Sequence, residues 1–140
     1  MTLAKPINKY IDYIDAPEDT FEQYVEKALK YNFRCVFANL QEYETGRAML
    51  EGSDIILAGA IDFPQGTMTL EEKLARFEEY AACGFTEIDY VLNQESVENR
   101  DFDAIEREMT TIADFCRAHG ITDKAVSYTH LRAHETGRNL

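Results

Sequence analysis

The sequence has no apolar run that could cross a membrane and no excess of positive charge. A membrane-spanning helix needs roughly 20 consecutive apolar residues, and no stretch of the chain approaches that length. The 26 acidic residues outnumber the 14 basic residues, which gives a formal net charge of -12. This charge repels phosphate backbones and anionic lipids. The sequence therefore predicts no nucleic-acid partner, no membrane partner and a cytoplasmic location.

Cysteine is scarce, and the glycine pattern of dinucleotide-binding folds is absent. Three cysteines, Cys35, Cys83 and Cys116, are an odd number at wide spacing, which fits neither a disulfide framework nor a zinc site. Each lies within or beside an apolar segment, where a reduced thiol packs as a small hydrophobe. The sequence also has no GxGxxG pattern to favour a dinucleotide fold. We predict no metal site.

The sequence does have enough apolar material for one globular domain. Hydrophobic residues make up 45% of the chain and aromatic residues 11%. Two capping boxes, Thr20 with Gln23 and Thr69 with Glu72, mark the starts of amphipathic helices. Hydrophobic periodicity predicts four helices, at about residues 21–32, 42–50, 70–83 and 102–119.

Short apolar runs between these helices predict strands. The runs do not alternate with polar residues, as expected for strands covered on both faces in a parallel sheet. Strand and helix alternate at a spacing that is typical of right-handed βαβ units. Doubly wound sheets and barrels share this pattern, so periodicity alone leaves both open. The predicted parallel strands lie near Ile11 and at about 35–38, 55–60 and 87–91.

Four motifs, in order and with matching spacing, resemble the deoxyribose-phosphate aldolase family. They are Tyr10 Ile11 Asp12 near the start, Asn39 after the second strand, Phe63 Pro64 Gln65 Gly66 after the third, and Glu87 Ile88 Asp89 in the fourth. The resemblance covers about residues 7–126. It implies an α/β fold that is the first half, about four βα units, of a truncated TIM (β/α)8 barrel.

The chain departs from the family at three places, beside the first of these motifs, beside Asn39 and in the second strand. Asp12 Tyr13 Ile14 stands where the family has Asp-His-Thr, and Leu40 stands where it has proline. Phe37 replaces a cysteine that is common in the second strand. These departures indicate a divergent member, so the fold is implied more firmly than the sugar substrate.

The resemblance implies a lyase that cleaves 2-deoxy-D-ribose 5-phosphate to glyceraldehyde 3-phosphate and acetaldehyde. In this class I aldolase mechanism, a lysine amine forms a Schiff base with the aldehyde, so no metal or other cofactor is required. The expected partner is a small phosphosugar or aldehyde, and a homo-oligomer is possible. The family's lysine lies on strand six, beyond the matching region. The truncated chain is therefore expected to be inactive.

Three acidic or amide residues are candidate site residues. Asp89 matches the family's fourth-strand acid, a member of the proton relay, and we predict that it is catalytic. A carboxylate in an apolar strand is costly without a partner, although it could simply pair with a cation. Asp12 and Asn39 match residues that face the substrate cavity, and we predict that they bind substrate. Ordinary loop capping is the alternative for both.

The end of the sequence has a different origin in our interpretation. From Val126 to Thr136 it resembles the translation of a common transposase sequencing adapter. We therefore divide the chain into residues 1–125, the N-terminal half of an aldolase-type barrel, and residues 126–140, a non-native tail. We expect Ser127 to Leu140 to pack poorly. His130 and His134 are four residues apart, a spacing that can hold a metal, but both lie in this tail.

Two other functions remain open. The altered Asp12 Tyr13 Ile14 motif favours another phosphosugar TIM-barrel enzyme, such as a different aldolase or an epimerase. A third hypothesis is a non-catalytic half-barrel that associates with itself through its exposed sheet edge.

Overall fold

A computed structural model describes residues 2–127, in which parallel strands alternate with helices. The strands are β1 Cys35–Phe37, β2 Ile56–Ile61, β3 Glu87–Val91 and β4 Thr122–Val126. A 3-10 turn, Ile7–Tyr10, precedes the helices α1 Phe21–Tyr31, α2 Tyr43–Met49, α3 Leu70–Cys83, α4 Gln94–Glu98 and α5 Phe102–His119. Among the described residues, no helix is both long and apolar enough to cross a membrane.

The four strands form one parallel sheet in the order β1-β2-β3-β4. Each strand therefore pairs with the next strand along the chain. Because βαβ crossovers are right-handed, an unbroken order places every crossover helix on the same face of the sheet. A doubly wound sheet instead reverses its strand order at a switch point. This order settles the choice that periodicity left open and confirms the predicted half of a TIM barrel.

The strands differ from the sequence prediction at both ends of the sheet. In place of the strand predicted near Ile11, the structure has an isolated parallel bridge, in which the single residue pair is Asp12 and Cys35. In contrast, β4 was not predicted, since Lys124 interrupts its apolar pattern. This strand includes Val126, which we had assigned to the tail. Apart from Val126 and Ser127, that tail lies outside the described residues.

The helix ends follow from local side-chain chemistry. Both predicted capping boxes are present, at Thr20 and at Thr69, and each threonine hydroxyl accepts a hydrogen bond from the third residue of its helix. The short helix α4 was not predicted because it has too few residues for a periodic pattern. The side chain of Asn93 caps it by accepting from the amide of Ser96.

Apolar packing holds the helices on one face of the sheet. Ile88 and Tyr90 of β3 are buried in the larger hydrophobic cluster, together with Phe77 of α3 and Ile112 of α5. Successive side chains of a strand point to opposite faces. The alternate residues of β3 therefore point away from the helices. We call that opposite side of the sheet the inner face.

Gly59 in β2 provides a test of how closely α3 packs on the sheet. A Cβ atom at Gly59 would lie 2.4 Å from Cδ2 of Tyr80, whose side chain is buried. We expect Gly59→Ala to lower the free energy of unfolding by about 1–3 kcal/mol, because the ring has no free space to enter. Urea denaturation measures the change. The double variant Gly59→Ala/Tyr80→Leu should lose less stability than the sum of the losses in the two single variants. An unchanged urea midpoint for Gly59→Ala alone would contradict the close contact.

Candidate functional site

Asp89 lies at the centre of the inner face. It is the middle residue of β3, and it pairs with Ala60 of β2 on one side and with Lys124 of β4 on the other. The Nζ of Lys124 lies 2.9 Å from Asp89 Oδ1, yet this buried oxygen has no well-aligned hydrogen bond within the described chain. Burial raises the pKa of Asp89 above its ordinary value, against the opposing effect of Lys124. Asp89 is therefore a carboxyl group that holds a proton more readily than an exposed aspartate.

Lys124 places its ammonium group among three carboxylates. Its Nζ lies 2.7 Å from Asp12 Oδ2, 2.9 Å from Glu87 Oε2 and 2.9 Å from Asp89 Oδ1. Burial by itself lowers the pKa of Lys124, but hydrogen bonds to these carboxylates raise the pKa above its ordinary value. The amine therefore stays protonated at neutral pH. A protonated amine has no lone pair with which to attack a carbonyl.

Arg34, directly before β1, binds two of the same carboxylates. Its Nε donates to Asp12 Oδ1 at 2.6 Å, and its two terminal nitrogens donate to the two oxygens of Glu87 at 3.1 and 2.5 Å. Burial raises the pKa of both carboxyl groups, but hydrogen bonds to Arg34 and Lys124 outweigh it and hold both pKa values below the ordinary range. Asp12 and Glu87 are therefore ionised at neutral pH.

These five residues form one connected network, which we call the charge cluster: Asp12, Arg34, Glu87, Asp89 and Lys124. Three carboxylates face two cations, so the cluster carries one excess negative charge when all are ionised. Sequence analysis identified Asp12 and Asp89 in this network. It missed Arg34 and Lys124. Lys124 could have been identified, because its spacing matches that of strand residues that point to the inner face.

One subset of the inner face has the residue types of a metal site. Ligand atoms of Asp12, Cys35 and Glu87 all lie within 4.8 Å of one another. The two carboxylates already bind Arg34 and Lys124. Burial also raises the pKa of the Cys35 thiol to about 12, whereas a metal binds the thiolate. The donor set therefore favours ion pairing within the chain over metal binding.

Asn39 lies apart from the charge cluster, just beyond β1. Its Oδ1 accepts a hydrogen bond from the backbone amide of Glu42 at 2.9 Å, and its own backbone amide donates to Glu42 Oε1 at 2.9 Å. This reciprocal pair fastens the turn that leads into α2. The exposed Asn39 also lines an open pocket of about 280 Å³ with Phe37 and Ala60, at the carboxyl ends of β1 and β2.

The loop that contains Phe63 Pro64 Gln65 Gly66 is fastened to the loop after β3. The carboxylate of Asp62 accepts from the amides of Thr67 and Met68, and the amide of Gln94 donates to Gly66 O at 2.9 Å. Gly66 has φ 67°, and a Cβ there would lie 2.6 Å from Leu92 O. Only glycine fits this position without strain. Both loops thus lie at the carboxyl edge of the sheet, where barrel enzymes bind substrate.

A second network of buried ion pairs lies at the carboxyl edge of the sheet, on the side covered by the helices. Lys73 of α3 is fully buried; it donates to Val91 O at 2.6 Å and pairs with Glu108 of α5. Its Nζ also lies 3.3 Å from Asp62 Oδ2. The other Glu108 oxygen accepts from the amide of Asn93 at 3.0 Å. Lys73 therefore connects the ends of β2 and β3 to two helices, and it lies on the helix side of the sheet, opposite the inner face.

The architecture is that of a half (β/α)8 barrel, and the relatives of the chain are named deoxyribose-phosphate aldolases. The chain is 31% identical to the deoxyribose-phosphate aldolase of Lactobacillus acidophilus over 114 residues, which are 81% of the chain and 48% of the relative. The enzyme of the same name from Bacteroides thetaiotaomicron is 32% identical over 111 residues, 79% of the chain and 47% of the relative. No protein-family model matches the chain.

Solved structures agree with these relatives. The deoxyribose phosphate aldolase of Aeropyrum pernix superposes with a TM-score of 0.61 at 26% identity and covers 79% of the chain and 47% of its own length. The aldolase QR15 gives a TM-score of 0.67 at 21% identity, with 85% of the chain and 54% of that protein covered, and shows the fold alone. The chain spans about half the length of the relatives it matches. It is a homologue of the deoxyribose-phosphate aldolases over that half, consistent with their N-terminal half.

Proposed function

We propose that this chain is the N-terminal half of a class I aldolase that cleaves 2-deoxy-D-ribose 5-phosphate to glyceraldehyde 3-phosphate and acetaldehyde. One observation supports this most directly. Asp89 is a largely buried carboxyl group with a raised pKa at the centre of the inner face. The relatives that share the fold and the surrounding sequence are named deoxyribose-phosphate aldolases.

Asp89 serves as the proton-transfer group in this proposal. A general acid or base works best when its pKa lies near the working pH, and burial moves the pKa of Asp89 in that direction. The carboxyl group would move a proton to or from the substrate, while the Schiff-base lysine comes from the other half of the barrel. Lys124 holds Asp89 in place but stays protonated.

Asp12 and Asn39 are the proposed substrate-binding residues. Asp12 forms an isolated bridge with Cys35, the first residue of β1, and both of its carboxylate oxygens bind cations of the charge cluster. Asn39 lines the open pocket at the carboxyl ends of β1 and β2. Because carboxyl ends of strands carry the substrate loops of barrel enzymes, Asn39 has the more direct route to substrate.

The proposal extends to the rest of the parent protein. It includes a small phosphosugar substrate, no bound cofactor, no nucleic-acid or membrane partner, and a cytoplasmic location. The Aeropyrum pernix relative is described as a tetramer, which supports a homo-oligomeric parent. The chain alone lacks the lysine of strand six and is proposed to be inactive.

A different phosphosugar aldolase or an epimerase is the second candidate. Tyr13, where the family has histidine, stacks on Tyr24 at 5.3 Å and packs against Phe33 at 4.8 Å between ring centroids. Its ring therefore belongs to the hydrophobic packing and cannot substitute for an imidazole. Phe37 replaces the family's cysteine on the inner face, beneath the ammonium of Lys124 at 5.5 Å from the ring centroid. Both changes favour an altered substrate.

The third candidate is a self-associating half-barrel without catalytic activity. Within the described chain, β4 pairs only with β3, so its other edge offers unpaired backbone groups.

A chimera tests the proposed function. Residues 2–126 of this chain are joined to the C-terminal half of the Lactobacillus acidophilus relative, which supplies the rest of the barrel. We expect cleavage of 2-deoxyribose 5-phosphate, and Asp89→Asn should lower kcat by about 10²–10⁴ because it removes the proton-transfer group. Asp114→Asn, on the exposed side of α5, is the matched control.

The outcomes separate the candidates. Full activity of a folded Asp89→Asn chimera would refute the assigned role of Asp89. Turnover of another phosphosugar instead of 2-deoxyribose 5-phosphate would favour the second candidate. A folded chimera that turns over neither, combined with a stable oligomer of the isolated chain, would favour the third.

A further inference from the structure

We propose that Arg34 is a positioning residue for Asp89: it binds Asp12 and Glu87, and thereby leaves Lys124 to pair with Asp89. Arg34 has no contact with substrate in this proposal. The functional consequence rests on the proposed role of Asp89, but the interaction itself can be measured in the chain as it stands.

The geometry of the guanidinium group carries the first step. Arg34 binds both oxygens of Glu87 through its two terminal nitrogens, and its Nε binds Asp12 at 2.6 Å. A guanidinium group is a planar fork with fixed donor directions, so it holds both carboxylates in a defined orientation. Glu87 is 5% exposed, so water offers it little alternative solvation. Arg34 is thus the main cation of Glu87.

Competition for Lys124 carries the second step. Three carboxylates, those of Asp12, Glu87 and Asp89, lie within 2.9 Å of its ammonium group. The first two are also bound by Arg34, and Asp89 is not. Without Arg34, the ammonium would be the only cation from the described part of the chain that pairs with these three carboxylates. It would shift towards Asp12 and Glu87, and Asp89 would lose part of its ion pair with Lys124.

The charges around Asp89 give the direction of the effect. Lys124 faces it from β4, Glu87 from its own strand, and Asp12 from the segment before α1; its partner in β2 is the uncharged Ala60. With Arg34, the cluster has three carboxylates and two cations. Without Arg34, the excess negative charge doubles, and a proton goes most readily to the carboxyl group whose pKa is already raised. That group is Asp89.

Carboxyl-carbon NMR titration of this chain provides the test. In Arg34→Met, the pKa of Asp89 should rise, and Arg34→Lys should restore part of the original value because it returns the charge without the fork. Glu87→Gln should lower the pKa of Asp89, since it removes one negative charge and releases Lys124 from a competitor. A general loosening of the sheet would shift the pKa of Asp89 in the same direction in both variants. Opposite shifts of this pKa therefore identify the charge mechanism.

Arg117→Met is the matched control, because Arg117 is exposed and pairs with Asp114 on the surface of α5, away from the charge cluster. It should leave the pKa of Asp89 unchanged. A folded Arg34→Met chain with an unchanged or lowered pKa of Asp89 would overturn the proposal. If Arg34→Met does not fold, an upward shift in Glu87→Gln would overturn it instead. These titrations need no catalysis, so their failure is distinct from failure of the proposed function in the chimera.

Discussion

Sodium borohydride, added to this chain in the presence of acetaldehyde, should trap no specific lysine adduct, and 2-deoxyribose 5-phosphate should remain uncleaved. The two lysines nearest the sheet cannot act as nucleophiles. Lys124 is held protonated by three carboxylates, which raise its pKa above the ordinary value despite burial. Lys73 is fully buried on the helix side and paired with Glu108. A Schiff base requires an unprotonated amine within reach of the carbonyl.

We expect the isolated chain to have lost nearly all of the catalytic rate of a complete aldolase. Removing a covalent nucleophile typically lowers the rate on the order of 10⁶-fold, or about 8 kcal/mol of transition-state stabilisation. Mass spectrometry after trapping measures the adduct, and a coupled assay for glyceraldehyde 3-phosphate measures turnover. The chimera with the C-terminal half of the relative is the positive control and should trap. Rapid, specific modification of one lysine in the isolated chain, together with turnover, would refute the assignment of the nucleophile to the half of the barrel that this chain does not span.

Replacing Lys73 with methionine should destabilise the chain by about 3–5 kcal/mol. Among residues 2–127, Lys73 is the only cation paired with Glu108 and Asp62, which are 5% and 8% exposed, and an uncompensated buried charge carries a cost of this size. Val91 O would also lose a donor at 2.6 Å. The ion pairs of Lys73 connect the loops after β2 and β3 to the helices. The loss of stability in Lys73→Met should therefore be greatest at the carboxyl edge of the sheet.

Urea denaturation measures this effect, with Arg76→Met as the control on the same helix. Arg76 pairs with Glu79 on the exposed side of α3, and its removal should cost only about 0–1 kcal/mol. Adding Glu108→Gln to Lys73→Met should recover part of the loss, because it removes one of the unpaired charges. Equal losses for Lys73→Met and Arg76→Met would contradict the role of the buried network.

Local signals made most of the helices and the central strands predictable. The capping boxes at Thr20 and Thr69 depend on side chains three residues apart, and both are present in the structure. The apolar runs of β2 and β3 are long and lie between clear helices, so their positions were confirmed to within one residue. These features need no knowledge of distant contacts.

The features that escaped prediction depend on contacts between distant parts of the chain. Lys124 is stabilised inside β4 by three carboxylates, one of which belongs to Asp12, 112 positions earlier in the chain. Arg34 likewise meets Glu87 across 53 positions. A single sequence does not show which charges meet in space, so the inner face was identified through Asp12 and Asp89 while their cations were missed. The family resemblance located the carboxylates but gave no reason to examine Arg34.

The sequential order of the strands has a consequence for how such a chain folds. Each pairing joins two strands that are consecutive along the chain, with one helix between them for β1 and β2 and for β2 and β3, and two helices for β3 and β4. The entropy lost on closing a loop grows with its length, and folding slows as contacts become more distant in sequence. The hydrogen bonds between β1 and β2 therefore do not require β4 to be in place. A sheet of this kind can grow one βα unit at a time, in the direction of synthesis, before the remainder of a barrel has been made.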